Sequence, residues 1–234
     1  MFPFRDNIPS RSYPLVTMAL VWINILVFVW EASLGKGMDG FLQTYAMIPA
    51  QVTGQVPAGP LGPIVPIFLS MFLHGSWMHV LGNVWFLYLF GDNVEDRMGR
   101  LRFLWFYLFA GVVAAITQIL FSPASTVPTV GASGAIAGVL GAYLVLYPRA
   151  RVATLIWLGF FIDVIDLPAV AFLGYWFLLQ LIPGLFSIPM GEVGGGVAWW
   201  AHVGGFAAGF VFARFLCREC ALDRHPVEPR PYYR

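Results

Sequence analysis

Six stretches of the chain run without Asp, Glu, Lys or Arg for about the length that a helix needs to cross a hydrocarbon core of about 30 Å, roughly 20 residues. They lie near Tyr13–Trp30, Ile64–Phe90, Phe103–Phe121, Val130–Tyr147, Leu167–Phe186 and Val197–Ala213. A further apolar run at 152–162 has 11 residues before Asp163, too few to span as a helix. That run is expected to lie at the interface, to re-enter, or to extend the fifth helix. The pattern therefore predicts an all-α membrane protein built as a six-transmembrane helix bundle. Two connections are longer than the rest, residues 31–63 and the glycine-rich IPMGEVGGGVAWW at 188–200. Gly194, Gly195 and Gly196 make the second suited to a plain connector or a lid.

Charge tests the count independently, because cytoplasmic flanks of membrane helices carry the excess of Lys and Arg. With the N-terminus inside, 12 of the 13 basic residues fall on inner segments: Arg5, Arg11, Arg97, Arg100, Arg102, Arg149, Arg151, Arg214, Arg218, Arg224, Arg230 and Arg234. Lys36 alone falls outside. A seventh span at 152–162 would move the basic tail outside, so six spans with both termini cytoplasmic fit best. The expected divisions are a short cytoplasmic N-terminus (1–12), a six-span core (13–216) and a basic cytoplasmic tail (217–234). No cleavable signal is expected, because the first apolar run has span length and no cleavage site follows it.

Composition agrees with lipid as the solvent: 59% of the 234 residues are hydrophobic, 11% are charged, and the mean hydropathy is +0.76. A net charge of +1 with basic residues placed by topology predicts no nucleic-acid partner. Cys217 and Cys220 fall in the inner tail, where a structural disulfide is not expected. With His225 they make three possible ligands, one short of a closed zinc site, so neither metal nor cofactor is expected.

Candidate chemistry emerges from depth. At 1.5 Å per helical residue, Ser133 lies 16 residues from Arg149, about 24 Å above the inner boundary. His79 lies about 20 Å above Asp92, and His202 about 18 Å above Arg214. Asn83 shares a helix face with His79, at i and i+4, and comes out at about 14 Å. His74, at about 27 Å, is expected at the outer interface. Polar side chains in lipid should face the bundle and find partners, so three separate segments converge on one layer.

Each residue also has a plainer reading: a serine among small residues packs helices, and a membrane histidine often bonds a neighbour. Together they make the minimum set for acyl transfer, with imidazole taking the hydroxyl proton and returning it to a leaving amine. Ser133 also follows Gly131 in the first turn of a short span, where free N–H groups and the helix dipole would face an oxyanion. Gly134, Gly138 and Ala142 form a small-residue stripe, and Gly205 and Gly209 a GxxxG, as close helix approach requires. The pattern is not GxSxG, since position 135 is alanine. Asp163 and Asp166 lie at the wrong depth for a triad, so a serine–histidine dyad is expected, its histidine oriented by packing.

GASG at 131–134, HVLGN at 79–83 following FLHGSWMH, and AHVGGFAAG at 201–209 resemble, in order, the three signature motifs of rhomboid intramembrane serine proteases. GDNVEDRMG at 91–99 and YPRARV at 147–152 resemble that family's inner loops. The resemblance implies a rhomboid-type bundle that cuts transmembrane helices of membrane-protein substrates near the outer face, after a small residue. Substrate would enter beside the second and fifth spans under a mobile cap. It implies Ser133 as nucleophile, His202 as general base and acid, and His79, Asn83 and the Ser133 amide as the oxyanion site. The expected setting is multi-pass in a lipid bilayer, a prokaryotic plasma membrane. Two features depart from the family: Val65-Pro66 stands where many relatives have Trp-Arg, and Ala137 where some have an aromatic stacked on the histidine. The alternatives are an inactive relative that binds membrane helices and a six-span transporter with a histidine relay. The second would want membrane-centre carboxylates, which the spans lack.

Overall fold

The computed structural model describes residues 1–159, 161–190 and 197–216. In chain order the elements are β1 (Phe2–Asp6), α1 (Leu15–Ser33), α2 (Met38–Tyr45), α3 (Pro49–Val52), α4 (Val65–Leu69), α5 (Trp77–Met98), α6 (Arg100–Phe121), α7 (Ser133–Leu146), β2 (Arg151–Leu158), β3 (Phe161–Pro168), α8 (Ala169–Met190) and α9 (Trp199–Leu216). Among the described residues, α1, α6 and the Ala169–Ser187 part of α8 are long and apolar enough to cross a membrane, and α7 is a shorter apolar helix. Trp22, Leu26, Trp105, Leu120, Leu178 and Ile182 stand exposed on these helices, as side chains facing lipid do. Cys217, Cys220, His225 and Gly194–Gly196 lie outside the described residues.

Three expectations about the secondary-structure elements need correction. The run at 152–162 is neither helical nor a helix extension: β2 and β3 form an antiparallel hairpin, and β1 pairs antiparallel with β2. The fold is therefore not all-α. The hairpin is rich in β-branched residues, among them Val152, Thr154, Ile156, Ile162, Val164 and Ile165, which suit a pleated surface. The second apolar run is not one helix from Ile64. It breaks after α4, and α5 starts at Trp77 because Ser76 is extended and its Oγ accepts the His79 N–H at 3.2 Å. GDNVEDRMG is not a loop but largely the last turns of α5, ended by Gly99, whose φ of 79° favours glycine.

His74, expected at the interface, is fully buried in the break before α5. Its N–H donates to the carboxylate of buried Glu31 at 3.2 Å, and its Nδ1 lies 3.2 Å from the Phe72 carbonyl. At the opposite end of the bundle, buried Glu95 on α5 accepts the N–H groups of Val16 and Thr17 at 3.0 and 2.7 Å. It thereby caps α1 from another helix, neutralising donors that the helix start leaves open.

The core centres on α7, whose residues from Gly134 to Tyr143 are all buried. The small-residue stripe meets the GxxxG: a Cβ at Gly205 would strike the Gly134 carbonyl oxygen, and one at Gly209 the Gly138 carbonyl oxygen. Backbone against backbone leaves no room for bulk. Gly209→Val is expected to cost about 1–3 kcal/mol of stability through overpacking. Thermal unfolding of the purified variant checks this, and an unchanged unfolding temperature would refute the close approach.

The sheet is tied to the helix ends through Asp6, whose carboxylate accepts from the Tyr143 hydroxyl and from Asn93 Nδ2. Burial pushes the Asp6 carboxyl up to about 7, with the Tyr143 bond opposing the shift. Between about pH 4 and 7 the folded protein holds a proton that the unfolded chain has lost. This group's contribution to stability is thus fully present below about pH 4 and lost as pH rises through about 7. Asp6→Asn is expected to flatten the fall in unfolding temperature across that window, and an unchanged slope would contradict the assignment.

Candidate active site

Ser133 heads α7, and the chain before it is fixed by backbone bonds. Thr129 N–H donates to the Met47 carbonyl and Gly131 N–H to the Ser70 carbonyl, each at 2.8 Å. Gly131 has a φ of 119°, open in practice only to glycine. A Cβ there would fall 2.5 Å from His79 Nε2 and 3.5 Å from Asn83 Nδ2, so the backbone just ahead of Ser133 lies directly against both side chains. Ile136 N–H closes the first turn onto the Ala132 carbonyl at 3.0 Å, so the N–H of Ser133 precedes the helical ladder.

α5 carries His79 and Asn83 one turn apart, on the face turned to this backbone. Asn83 is buried, and its Nδ2 has no hydrogen-bond partner among the described residues. A buried amide donor without a partner is costly, and this one stands beside the chain leading into Ser133.

α9 supplies His202, with Nε2 2.7 Å from Ser133 Oγ. The close approach of α7 and α9 at the glycines makes this contact possible. Among the described residues no carboxylate completes the pair: Asp163 and Asp166 are on β3. The expectation that packing alone orients the histidine is corrected by Gln180 on α8, whose Oε1 lies 2.7 Å from His202 Nδ1. Trp176 and Trp199 flank the imidazole, with ring centroids at 6.0 and 6.5 Å. Aromatic neighbours thus come from α8 and from the start of α9 where Ala137 offers none. A cavity of ≈ 30 Å³ lined by Met71, Gly131, Ser133, Gly134 and Ala201 adjoins the hydroxyl, room enough for a water.

Gln180 carried no motif, yet a signal existed. It lies 13 residues beyond Leu167, about 20 Å up the fifth apolar run and level with His202. A polar side chain at that depth should seek a partner inside the bundle.

The arrangement can move a proton from a hydroxyl to an imidazole beside a cluster of N–H donors. Comparison with known proteins bears on the family. The Rhomboid domain profile matches residues 62–219, more than half of the chain. The presenilin-associated rhomboid-like protein A, mitochondrial, of Danio rerio is 35% identical over 89 residues, covering 37% of this chain and 23% of that protein. Rhomboid-like protein 11, chloroplastic, of Arabidopsis thaliana is 42% identical over 69 residues, 30% of this chain and 24% of the relative. Rhomboid protein 1, mitochondrial, of Saccharomyces cerevisiae is 25% identical over 235 aligned positions, 94% of this chain. The chain spans 60% of that relative's length, and so less than two thirds of each of the three. Their names are organellar and lend nothing to the expected prokaryotic plasma membrane. The match over residues 62–219 establishes that the chain belongs to the rhomboid family.

Proposed function

We propose that the chain is an intramembrane serine endopeptidase that cleaves transmembrane helices with a Ser133–His202 dyad. The observation that carries this reading is the 2.7 Å approach of Ser133 Oγ to His202 Nε2 at the start of a helix. Ser133 Oγ attacks the scissile carbonyl while His202 Nε2 takes its proton. The oxyanion forms against the Ser133 N–H, Asn83 Nδ2 and His79. Collapse breaks the C–N bond, and the imidazolium gives its proton to the leaving amine. Water then attacks the acyl-enzyme, with His202 again as base, releasing the carboxylate product and restoring the hydroxyl.

The proposed topology is six spans, α1, α5, α6, α7, α8 and α9, with both termini on one side. Support comes from the sheet: β1 pairs with β2, which requires an even number of crossings between them, and α1, α5, α6 and α7 supply four. Arg97, Arg100, Arg102, Arg149 and Arg151 sit at the same end, which favours that side as cytoplasmic. Substrates are proposed to be membrane-spanning helices cut near the opposite, outer end, where Ser133 opens α7.

The test is reconstitution of the purified chain in vesicles with a tagged single-span protein bearing small residues near its outer end. Two fragments whose new termini map within the outer half of the span are expected. An intact substrate, with Ser133→Ala and wild type alike, would favour a family member that binds helices without cutting them.

A further inference from the structure

Gln180 on α8 links the dyad to the backbone of its own helix. Its Nε2 lies 3.3 Å from the carbonyl oxygen of Trp176, one turn back on α8, and its Oε1 lies 2.7 Å from His202 Nδ1. A carbonyl only accepts, so the end of the amide facing Trp176 must be the NH₂. The end facing His202 is then an acceptor, and Nδ1 must carry the ring proton. Nε2 is left with its lone pair directed at Ser133 Oγ, 2.7 Å away. The chain of bonds has one direction throughout: Ser133 O–H to His202 Nε2, His202 Nδ1–H to Gln180 Oε1, Gln180 N–H to the Trp176 carbonyl.

We infer that Gln180 is the positioning residue of the site, holding His202 in the tautomer that can accept the Ser133 proton. It does the orienting part of what a carboxylate does in a triad, without the charge that would stabilise the imidazolium. The role is a neutral one, suited to a side chain buried on α8 in an apolar setting where an ionised carboxylate would be costly. Because α8 holds Gln180 and α9 holds His202, the tautomer is set only while these two helices stay packed at this level.

This inference rests on the proposed proteolytic role for its kinetic consequence but not for its tautomer. The test uses the full chain in vesicles with ¹⁵N-labelled histidine, as wild type, Gln180→Leu and Gln180→Glu. Ring ¹⁵N shifts of His202 are assigned by their loss in His202→Ala. Cleavage of the tagged single-span substrate is followed across pH. In the wild type, His202 is expected to show a protonated Nδ1 and a bare Nε2. Gln180→Leu should mix the tautomers and lower kcat about tenfold with KM unchanged, the loss of one hydrogen bond. Gln180→Glu should keep the tautomer and move the acid limb of kcat/KM to higher pH, because a carboxylate favours imidazolium. A residue that only packed α8 would leave that limb in place. A bare Nδ1 in the wild type overturns the inference, as does Gln180→Leu with wild-type tautomer and kcat. If Gln180→Leu does not fold, the limb in Gln180→Glu decides, an unmoved limb counting against the inference. A tautomer that depends on Gln180 in a chain without cleavage would uphold the inference and overturn the protease reading instead.

Discussion

Ser133→Ala and His202→Ala are each expected to abolish cleavage while leaving the bundle folded. Neither replacement adds bulk: Ser133 sits at the helix start beside a small cavity, and His202 is partly exposed. The losses should be non-additive, since a nucleophile and its base act as a unit and the second removal has little left to remove. Elsewhere such removals cost on the order of 10⁶-fold in turnover. The double variant is therefore expected to be no slower than either single. Turnover of the tagged substrate and thermal unfolding, measured on the same preparations, check this. Near-native cleavage by Ser133→Ala would exclude a serine mechanism. Unfolding of both variants would return Ser133 to the plainer role of packing helices.

Asn83→Ala is expected to lower turnover on the order of 10²–10³-fold with little change in KM, by analogy with loss of one oxyanion donor. The reason is that Asn83 Nδ2 is buried and unpartnered among the described residues while lying beside Gly131, so its bond is made when charge develops on the substrate. If Asn83 instead tied α5 to a neighbour, its removal would lower the unfolding temperature and spare the chemical step. Among the described residues, Asn83 Nδ2 makes no such tie. Turnover and unfolding temperature on one preparation separate the two, and an active but thermally weakened variant would take Asn83 out of the oxyanion site.

What was legible in the sequence follows from which physical signals are local. Ser133 and His202 came together in depth because charge-free runs are measured from fixed ends at a constant rise per residue. The glycine contacts of α7 and α9 were legible because GxxxG spacing needs no knowledge of the partner. The hairpin of β2 and β3 was not, because a length test for spanning helices passes over the β-branched content of Val152–Ile165. The N-terminal strand that pairs with it is only Phe2–Asp6, and its partner is some 150 residues away. The late start of α5 was signalled by Gly75 and Ser76, a turn and a cap inside an apolar run, which hydropathy averages away. Gln180 was hidden for a different reason: its significance lies in a partner on another helix, and a single polar residue in a span does not say which one.

The central claim is that Ser133 is a nucleophile made reactive by His202. The most direct measurement is covalent capture: the purified chain is exposed to an organophosphonate electrophile and digested, and the modified residue is located by mass spectrometry. One adduct per chain is expected, on Ser133, formed slowly or not at all in His202→Ala. Cleavage of the single-span substrate by a protein that takes no adduct on Ser133, or takes it equally well without His202, would contradict it.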